Sequence, residues 1–298
     1  MTGDQIVFLI LASTANQISG ARLLIDSIRS FGGTMSHYPV WLFEADPQKA
    51  PCKDLESEGV RVLSLTVPDS VRHYWFADKV YACARAEELA APEVQSLIWF
   101  SPDCLIIKPP LLFDLGPSLD AAMRPVHIRN IGLPARDPVD DFWKKIYETV
   151  GVEDMETTVE SFVDQERIRA YFNSHAFAVN PSKGVLRRWF TCFESLVCDK
   201  QFQSGPCRDK RHQIFLHQAV LSALIVALLD PQRVRSLPPQ YNYPYNLHQS
   251  VSTDRRALAL NDLVCIAYED RRLDPSVMDD ITIKDPLRSW LSAHANKT

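Results

Sequence analysis

The chain has no Cys-x-x-Cys pair, no long basic stripe, no apolar run long enough to cross a bilayer, no internal repeat and no low-complexity linker. Each absence closes a class. The seven cysteines (Cys52, Cys83, Cys104, Cys192, Cys198, Cys207 and Cys265) are odd in number and lack metal-ligand spacing, so they make neither a zinc site nor a disulfide framework. Several lie in apolar runs and read as reduced packing thiols of a cytoplasmic protein. With a net charge of −5 and no basic stripe, no nucleic-acid partner is expected. A smaller anion remains compatible, because a few local donors suffice to hold one. The two main apolar runs, 6–12 and 219–229, fall short of the roughly 20 residues that a membrane span needs. No transmembrane segment is therefore expected. The first run follows Asp4 without a basic stretch and reads as a strand; the second reads as a core helix.

What is present is an ordinary globular composition. The chain has 298 residues, 46% hydrophobic and 23% charged. That is enough for one large α/β domain or two small ones, with a core that needs no covalent staples. The organising stretch is residues 96–110, SLIWFSPDCLIIKPP. Residues 97–100 read as a covered strand, Ser101-Pro102-Asp103 as a polar kink, and 105–107 as a second apolar segment stopped by Lys108-Pro109-Pro110. Open α/β sheets gather ligands at the carboxyl ends of their strands. Asp103 is a carboxylate at such an end, where Pro102 interrupts pairing. It is either an acid of a binding cleft or an ordinary turn acid.

The flanking segments alternate in type. A first strand over 6–12 ends in Ser13-Thr14, and Ile18, Ala21, Leu24, Ile25 and Ile28 then recur at helical spacing until Gly32-Gly33. Strands over 39–43 and 60–67 enclose a short helix over 53–58, which points to a doubly wound α/β half. Asp78 is placed to cap a helix reaching about Ala91, with Val80, Ala84 and Leu89 inward and Lys79, Arg85, Glu87 and Glu88 outward. Further on come a strand over 121–125, an amphipathic helix over 138–150, and an acidic stretch over 153–160 expected as a solvated loop or lid.

The second half is expected as a strand over 169–180 carrying Asn173-Ser174-His175 in its middle, then a helix over 182–197 opened by Pro181. A polar loop over 201–211 leads to a helix over 214–229 that holds His217-Gln218. A strand over 233–237, an aromatic and amide loop over 238–246, a last strand over 263–268 and a short helix over 287–293 complete the chain. The division expected is one domain over 1–270 and a tail over 271–298. A polar pair inside an apolar strand, such as Asn173-Ser174, must be satisfied internally or used. His175 either narrows a ligand site or is a hydrogen-bonded core histidine. His217 is either a general base or ligand, since imidazole titrates near neutrality, or structural.

The order of these pieces resembles the GT-A fold nucleotide-sugar glycosyltransferases, the retaining family-8 type in particular, over residues 6–268. LIWFSPDCLIIKPP resembles that family's apolar run, Asp-x-Asp, apolar run and proline. YFNSHAFAVNPS is similar to its Phe-Asn-Ser strand, His217-Gln218 to the Asp-Gln that opens a helix, LPPQYNYPYN to a loop of proline, aromatics and Asn, and Lys79 to an upstream lysine. The resemblance implies a mixed, mostly parallel central sheet flanked by helices. It implies transfer of a hexose from a nucleotide diphosphate sugar, UDP-linked by the family's habit, to an unknown acceptor. By the same resemblance Ala12, Ser13, Thr14, Lys79 and Ser101 hold the nucleotide, and Asn173, Ser174 and His175 the donor sugar. Asp103, Gln218 and His217 would be catalytic, and Asn242, Tyr243 and Asn246 would face the acceptor. Asp103 would be the ligand of a Mn2+ or Mg2+ ion. The departures are Ser101 in place of the first motif acid, His217 in place of Asp, and Ala267-Tyr268-Glu269-Asp270 where a late metal-binding His is usual. A hard cation prefers several oxygen ligands. Two rivals follow: a degenerate nucleotide- or glycan-binding protein on the same scaffold, or a nucleotidyltransferase. The latter commonly carries a glycine-rich phosphate loop after the first strand, where Gly20 stands alone.

Overall fold

A computed structural model describes residues 5–153 and 155–294. In chain order the main elements are β1 (Ile6–Ala12), α1 (Ala15–Phe31), β2 (Val40–Glu44), β3 (Val60–Ser64), α2 (Ala77–Leu89), β4 (Ser96–Phe100), β5 (Cys104–Ile106), β6 (Ala121–Met123) and α3 (Asp141–Val150). They continue with β7 (Thr158–Glu160), β8 (Arg167–Arg169), β9 (Ala176–Val179), α4 (Val185–Cys198), α5 (Lys200–Ser204), α6 (Lys210–Leu228), β10 (Val234–Ser236), β11 (Tyr243–Pro244), β12 (Cys265–Ala267) and α7 (Leu287–His294).

Seven strands form the central sheet in the order β10-β6-β9-β4-β1-β2-β3. β1 pairs in parallel with β2 and β4, β2 with β3, and β6 with β10, whereas β9 runs antiparallel between β4 and β6. The sheet is thus mixed and mostly parallel. Helices cover both faces, which is why β1 and β4 are apolar at every position but Ser96 and buried throughout. The two apolar halves of 96–110 are not one strand. β4 belongs to the central sheet, while β5 joins β12 and β11 in a second sheet of three.

Two registers decide where the site lies. Phe100, the last residue of β4, pairs with Ala176, the first of β9, so the segment entering β9 lies beside the segment leaving β4. Cys104 at the start of β5 pairs with Ala267 at the end of β12, which brings Tyr268 and Glu269 to the same spot.

Several elements depart from the sequence reading for physical reasons. The strand expected over 169–180 shortens to β9; residues 170–175 are irregular, so Asn173-Ser174-His175 precede the strand. The acidic stretch is no lid: Thr158–Glu160 pairs with β8 and Met155 is buried, while Asp154 lies outside the described residues. The polar loop contains α5, and α6 starts two residues before His212, capped by Asp209. On α2 the expected faces are partly reversed. Lys79 is buried against Ser174 and the Trp99 ring, and Glu87 under the start of α4, while Leu89 is exposed. Glu87 accepts from the backbone N–H groups of Leu186 and Arg187 at 3.0 and 2.9 Å, satisfying donors that Gly184, at the N-cap of α4, has no side chain to reach. Asp78 is not the cap but lies in the first turn, after Phe76 at the N-cap.

Residues 219–228 of the second apolar run lie within a longer helix, so among the described residues one helix, α6, is, against the sequence expectation, long and apolar enough to cross a membrane. Here it is a core helix, with every residue from Leu216 to Ile225 buried. All seven cysteines are free, and six of them are buried. In the tail, Leu273, Met278, Ile281, Ile283, Leu287 and Leu291 are buried in one cluster with Leu23 of α1 and Leu105 of β5.

Candidate functional site

The carboxyl ends of β1 and β4 are neighbours, and the expected nucleotide residues sit there. Ala12 is fully buried at the end of β1. Ser13 donates through Oγ to Asp78 Oδ2 at 2.7 Å, tying the strand end to α2, and Thr14 caps α1. Ser101 leaves β4 with its backbone N–H donating to the His175 carbonyl at 2.7 Å. α1 presses directly on the kink: a Cβ added to Gly20 would lie 2.4 Å from the Pro102 carbonyl oxygen. From the other side, the Tyr268 N–H donates to the Asp103 carbonyl at 2.9 Å. Backbone contacts thus hold the kink from three elements and leave the Asp103 side chain to the cleft, about one third exposed at 31%.

Ser174 is the hub beside it. Its hydroxyl accepts from Lys79 Nζ at 3.0 Å and faces His217 Nε2 and Gln218 Oε1, each at 3.1 Å. Its N–H also donates to Gln218 Oε1, and its carbonyl takes a second donor from Lys79. Burial pushes Lys79 down to about 8, against the pull of Asp103 and Asp78. Lys79 is 4% exposed and turned toward Ser174, so it holds the segment that enters β9 and does not present an open cation to a nucleotide. His217 is corrected in the same way. Its Nδ1 faces the Ile214 carbonyl at 2.9 Å, its Nε2 faces Ser174, and the Phe76 ring stacks over it at 4.3 Å. Burial first, and Lys79 second, hold it well below the ordinary histidine range. With both ring nitrogens engaged inside the protein, it is a neutral positioning group, not a base or a metal ligand.

His175 lies between two carboxylates. Its Nε2 is 3.9 Å from Asp103 Oδ2 and 3.6 Å from Glu269 Oε1, and its Nδ1 is 3.1 Å from Asn173 Oδ1. Glu269 is raised by burial and then by Asp103, with His175 opposing. Asp103 Oδ1 is buried without a hydrogen-bond partner. Among the described residues no group of three or more His, Cys, Asp or Glu side chains is disposed to hold a metal ion. Asp103 and Glu269 bring two carboxylates, but both face the His175 ring; Ser101 offers only a hydroxyl, and His217 is committed elsewhere. The donor set therefore does not fit a hard six-coordinate ion held by the protein.

The acceptor-side expectation needs a correction too. Asn242 and Tyr243 are buried, at 0% and 1% exposure. Asn242 Nδ2 donates to Asn173 Oδ1 at 2.8 Å, and the Tyr243 hydroxyl pairs with His248 Nδ1 at 2.8 Å. Asn242 thus supports Asn173, and Tyr243 belongs to the core. Asn246 is half-buried near Glu269.

The structure also adds residues that the sequence reading passed over. Arg124, buried, donates to the carbonyls of Pro239, Tyr241 and Asn242 at 3.0, 2.6 and 2.8 Å and fixes that loop; burial pushes it down to about 9. His127 stacks on His175 with ring centroids 6.3 Å apart. Phe76, Asn242 and Glu269 all border the site, and all are non-glycine residues in the left-handed region, with φ of 58°, 50° and 47°. Such conformations persist where the surroundings over-determine them, and they cluster at ligand sites. An arginine in the otherwise apolar 121–125 segment was the one available sequence signal.

Over residues 8–228, more than half of the chain, the sequence matches the Rhodobacterales glycosyltransferase domain family. Among curated proteins no sequence matches it. Among solved structures, the fold is shared with the galactosyltransferase LgtC in complex with donor and acceptor sugar analogues. The TM-score is 0.53 and the identity 14%, over 97% of this chain and 95% of that one. It is shared with the glycosyltransferase GlyE of Streptococcus pneumoniae TIGR4, at TM-score 0.51 and 14% identity over 97% of this chain and 59% of that one. It is shared as well with the bifunctional glycosyltransferase WbbM, at TM-score 0.54 and 15% identity over 90% and 46%. Identities this low speak for architecture. Taken with the family match and the central sheet, they lead to one conclusion: the chain belongs to the Rhodobacterales glycosyltransferase domain family and is a glycosyltransferase of the GT-A fold.

Proposed function

We propose that the chain transfers a hexose from a UDP-sugar to an acceptor hydroxyl, with retention of configuration, in the cytoplasm. The observation that carries this reading is the Ser174 hub. One residue gathers Lys79, His217 and Gln218 within 3.2 Å, immediately before His175, whose Nε2 lies 3.9 Å from Asp103 Oδ2. In this reading the nucleotide lies on Ala12, Ser13, Thr14 and Ser101, its diphosphate passes the His175 side, and Asp103 faces the sugar. Asn173, Ser174 and Gln218 orient the sugar. Glycosyl transfer develops positive charge on the sugar and negative charge on the departing diphosphate, so the acid and amide oxygens belong at the sugar and donors at the phosphates. The carboxylates available to Mn2+ or Mg2+ are Asp103 and Glu269, too few for such an ion, and no step is assigned to it.

The test is donor binding and turnover. UDP and UDP-hexoses are titrated by calorimetry, and hydrolysis of each UDP-hexose is followed with and without added manganese. Binding accompanied by turnover of at least one donor is expected. Tight nucleotide binding with no turnover of any common donor would overturn transfer and leave a binding scaffold.

A further inference from the structure

We infer that Trp75 and Phe76, with the first two turns of α6, form the acceptor subsite, and that this subsite takes a carbohydrate carrying an anionic substituent. The inference rests on the glycosyltransferase reading and extends it to the acceptor, which neither the family nor the fold identifies.

Trp75 and Phe76 are consecutive, large and exposed, at 47% and 44%. Single exposed hydrophobics are ordinary; two adjacent rings at the rim of a site are a surface for a ligand. Phe76 sits at φ 58°, a conformation that bulky residues avoid, at the N-cap of α2. Each ring is braced by α6. Phe76 stacks on His217 at 4.3 Å, and Lys210 Nζ lies 5.7 Å from the Trp75 ring. His217 and Lys210 are seven residues apart on one helix, about 10 Å at 1.5 Å rise per residue. The two rings therefore run outward along α6 from a point next to Gln218. Aromatic faces of this kind stack on the apolar faces of sugar rings.

At the outer end is a cavity of about 660 Å³ lined by Asn130, Ile131, Lys210, Arg211 and Phe215 among others. That volume falls within the range of about 300–1,000 Å³ typical of small-ligand sites. Its charge selects the ligand. Lys210 and Arg211 are exposed there and form no ion pair among the described residues. Asp209, the one acid of the lining, caps α6 by accepting from the Arg211 N–H at 2.8 Å. The mouth of the subsite is thus locally positive on a chain whose net charge is −5, which is complementary to a carboxylate or phosphate on the sugar.

The experiment uses the whole chain saturated with UDP and two probes: digalacturonate and its uncharged counterpart, digalactose. Binding of each is measured by saturation-transfer NMR and calorimetry on the wild type, on Trp75→Ala, and on the Lys210→Ala/Arg211→Ala double variant. The acidic probe is expected to bind about tenfold tighter than the neutral one, and each variant to weaken it by about tenfold, the worth of roughly 1.4 kcal/mol. Equal affinity for the two probes overturns the anionic assignment. Absence of binding by both probes, or variants that bind like the wild type, overturns the subsite, as would the exposed rings serving instead to pair two copies of the chain. The preceding UDP titration is read separately: its failure in the wild type removes the nucleotide-sugar reading itself.

Discussion

Lys79 Nζ donates to Ser174 Oγ at 3.0 Å across 95 positions of sequence, and the same ammonium reaches the Ser174 carbonyl. α2 is thereby pinned to the segment that enters β9, and Asn173-Ser174-His175 are held by contacts within the protein.

Replacing the hub tests that arrangement. Ser174→Ala removes the hydroxyl that Lys79, His217 Nε2 and Gln218 Oε1 share, and leaves each with one partner fewer in a buried setting. An unmet buried polar group costs about 1–3 kcal/mol. Urea unfolding should show a loss in that range. Donor turnover should fall by roughly 10–100-fold if the same free energy is withdrawn from sugar positioning. A variant that loses stability and keeps full turnover would make the hub structural alone.

Asp103 is expected to behave in the opposite way. Its Oδ1 is buried without a partner, and the backbone contact to Tyr268 does not need its side chain. It also raises Glu269. Asp103→Ala should leave thermal unfolding unchanged or slightly raised, and bring Glu269 back toward the ordinary carboxylate range. Donor turnover should drop on the order of 100-fold, as when one preorganised electrostatic group is lost at a reacting centre. Turnover at the wild-type level would remove Asp103 from the chemistry.

The covered strands are legible in the sequence because burial on both faces leaves an unbroken apolar run: the run over 6–12 coincides with β1, and the one over 97–100 starts one residue inside β4. The helices α1 and α3 are legible from their period. Lys79 and Glu87 are not, because periodicity on α2 does not show that a lysine will be buried against Ser174 and Trp99 or a glutamate under the start of α4. The meeting of Asp103 with Asn173-Ser174-His175 depends on the Phe100–Ala176 register, which no local pattern encodes; here the family resemblance supplied it. Arg124, His127 and Glu269 come into view through the second sheet, whose strands of two or three residues are too short to show a period. Trp75 and Phe76 read as ordinary loop residues in the sequence, where nothing shows His217 and Lys210 beneath them.

The contact of α1 with the kink gives a test by volume. In Gly20→Ala the new Cβ would stand 2.4 Å from the Pro102 carbonyl, a backbone atom that moves only with the Ser101-Pro102-Asp103 turn. Overpacking of this kind costs about 1–3 kcal/mol. Turnover should fall along with stability, because Asp103 rides on the displaced turn. Gly116→Ala is the comparison. That glycine has φ +51° and nothing within 4 Å of an added Cβ, so its cost of about 1 kcal/mol is conformational and turnover should hold. Equal effects of the two substitutions on turnover would show that α1 does not set the position of the turn.

The buried ammonium of Lys79 predicts a particular pH dependence. In the folded chain burial pushes it down to about 8, while in the unfolded chain the proton is held to about 10.4. Between those values the unfolded state binds more protons, so this group makes stability rise with pH. Below about 8 both states carry the charge, and the full penalty of the buried ammonium is present. Above about 10.4 both are neutral, and the penalty has gone. A gap of about two pH units between the folded and unfolded values is worth roughly 3 kcal/mol. Titrating groups remote from Lys79 are common to the wild type and to Lys79→Met and cancel in the difference; Cys83, Cys104 and His217, which feel its charge, are held neutral in the folded chain by burial. Urea unfolding at intervals from pH 7 to 10 should therefore show the stability of the wild type gaining on that of Lys79→Met above pH 8, with no change in the difference below it. A flat difference over the whole range would mean that Lys79 stays charged in the folded chain, and that its hydrogen bonds to Ser174 offset its burial.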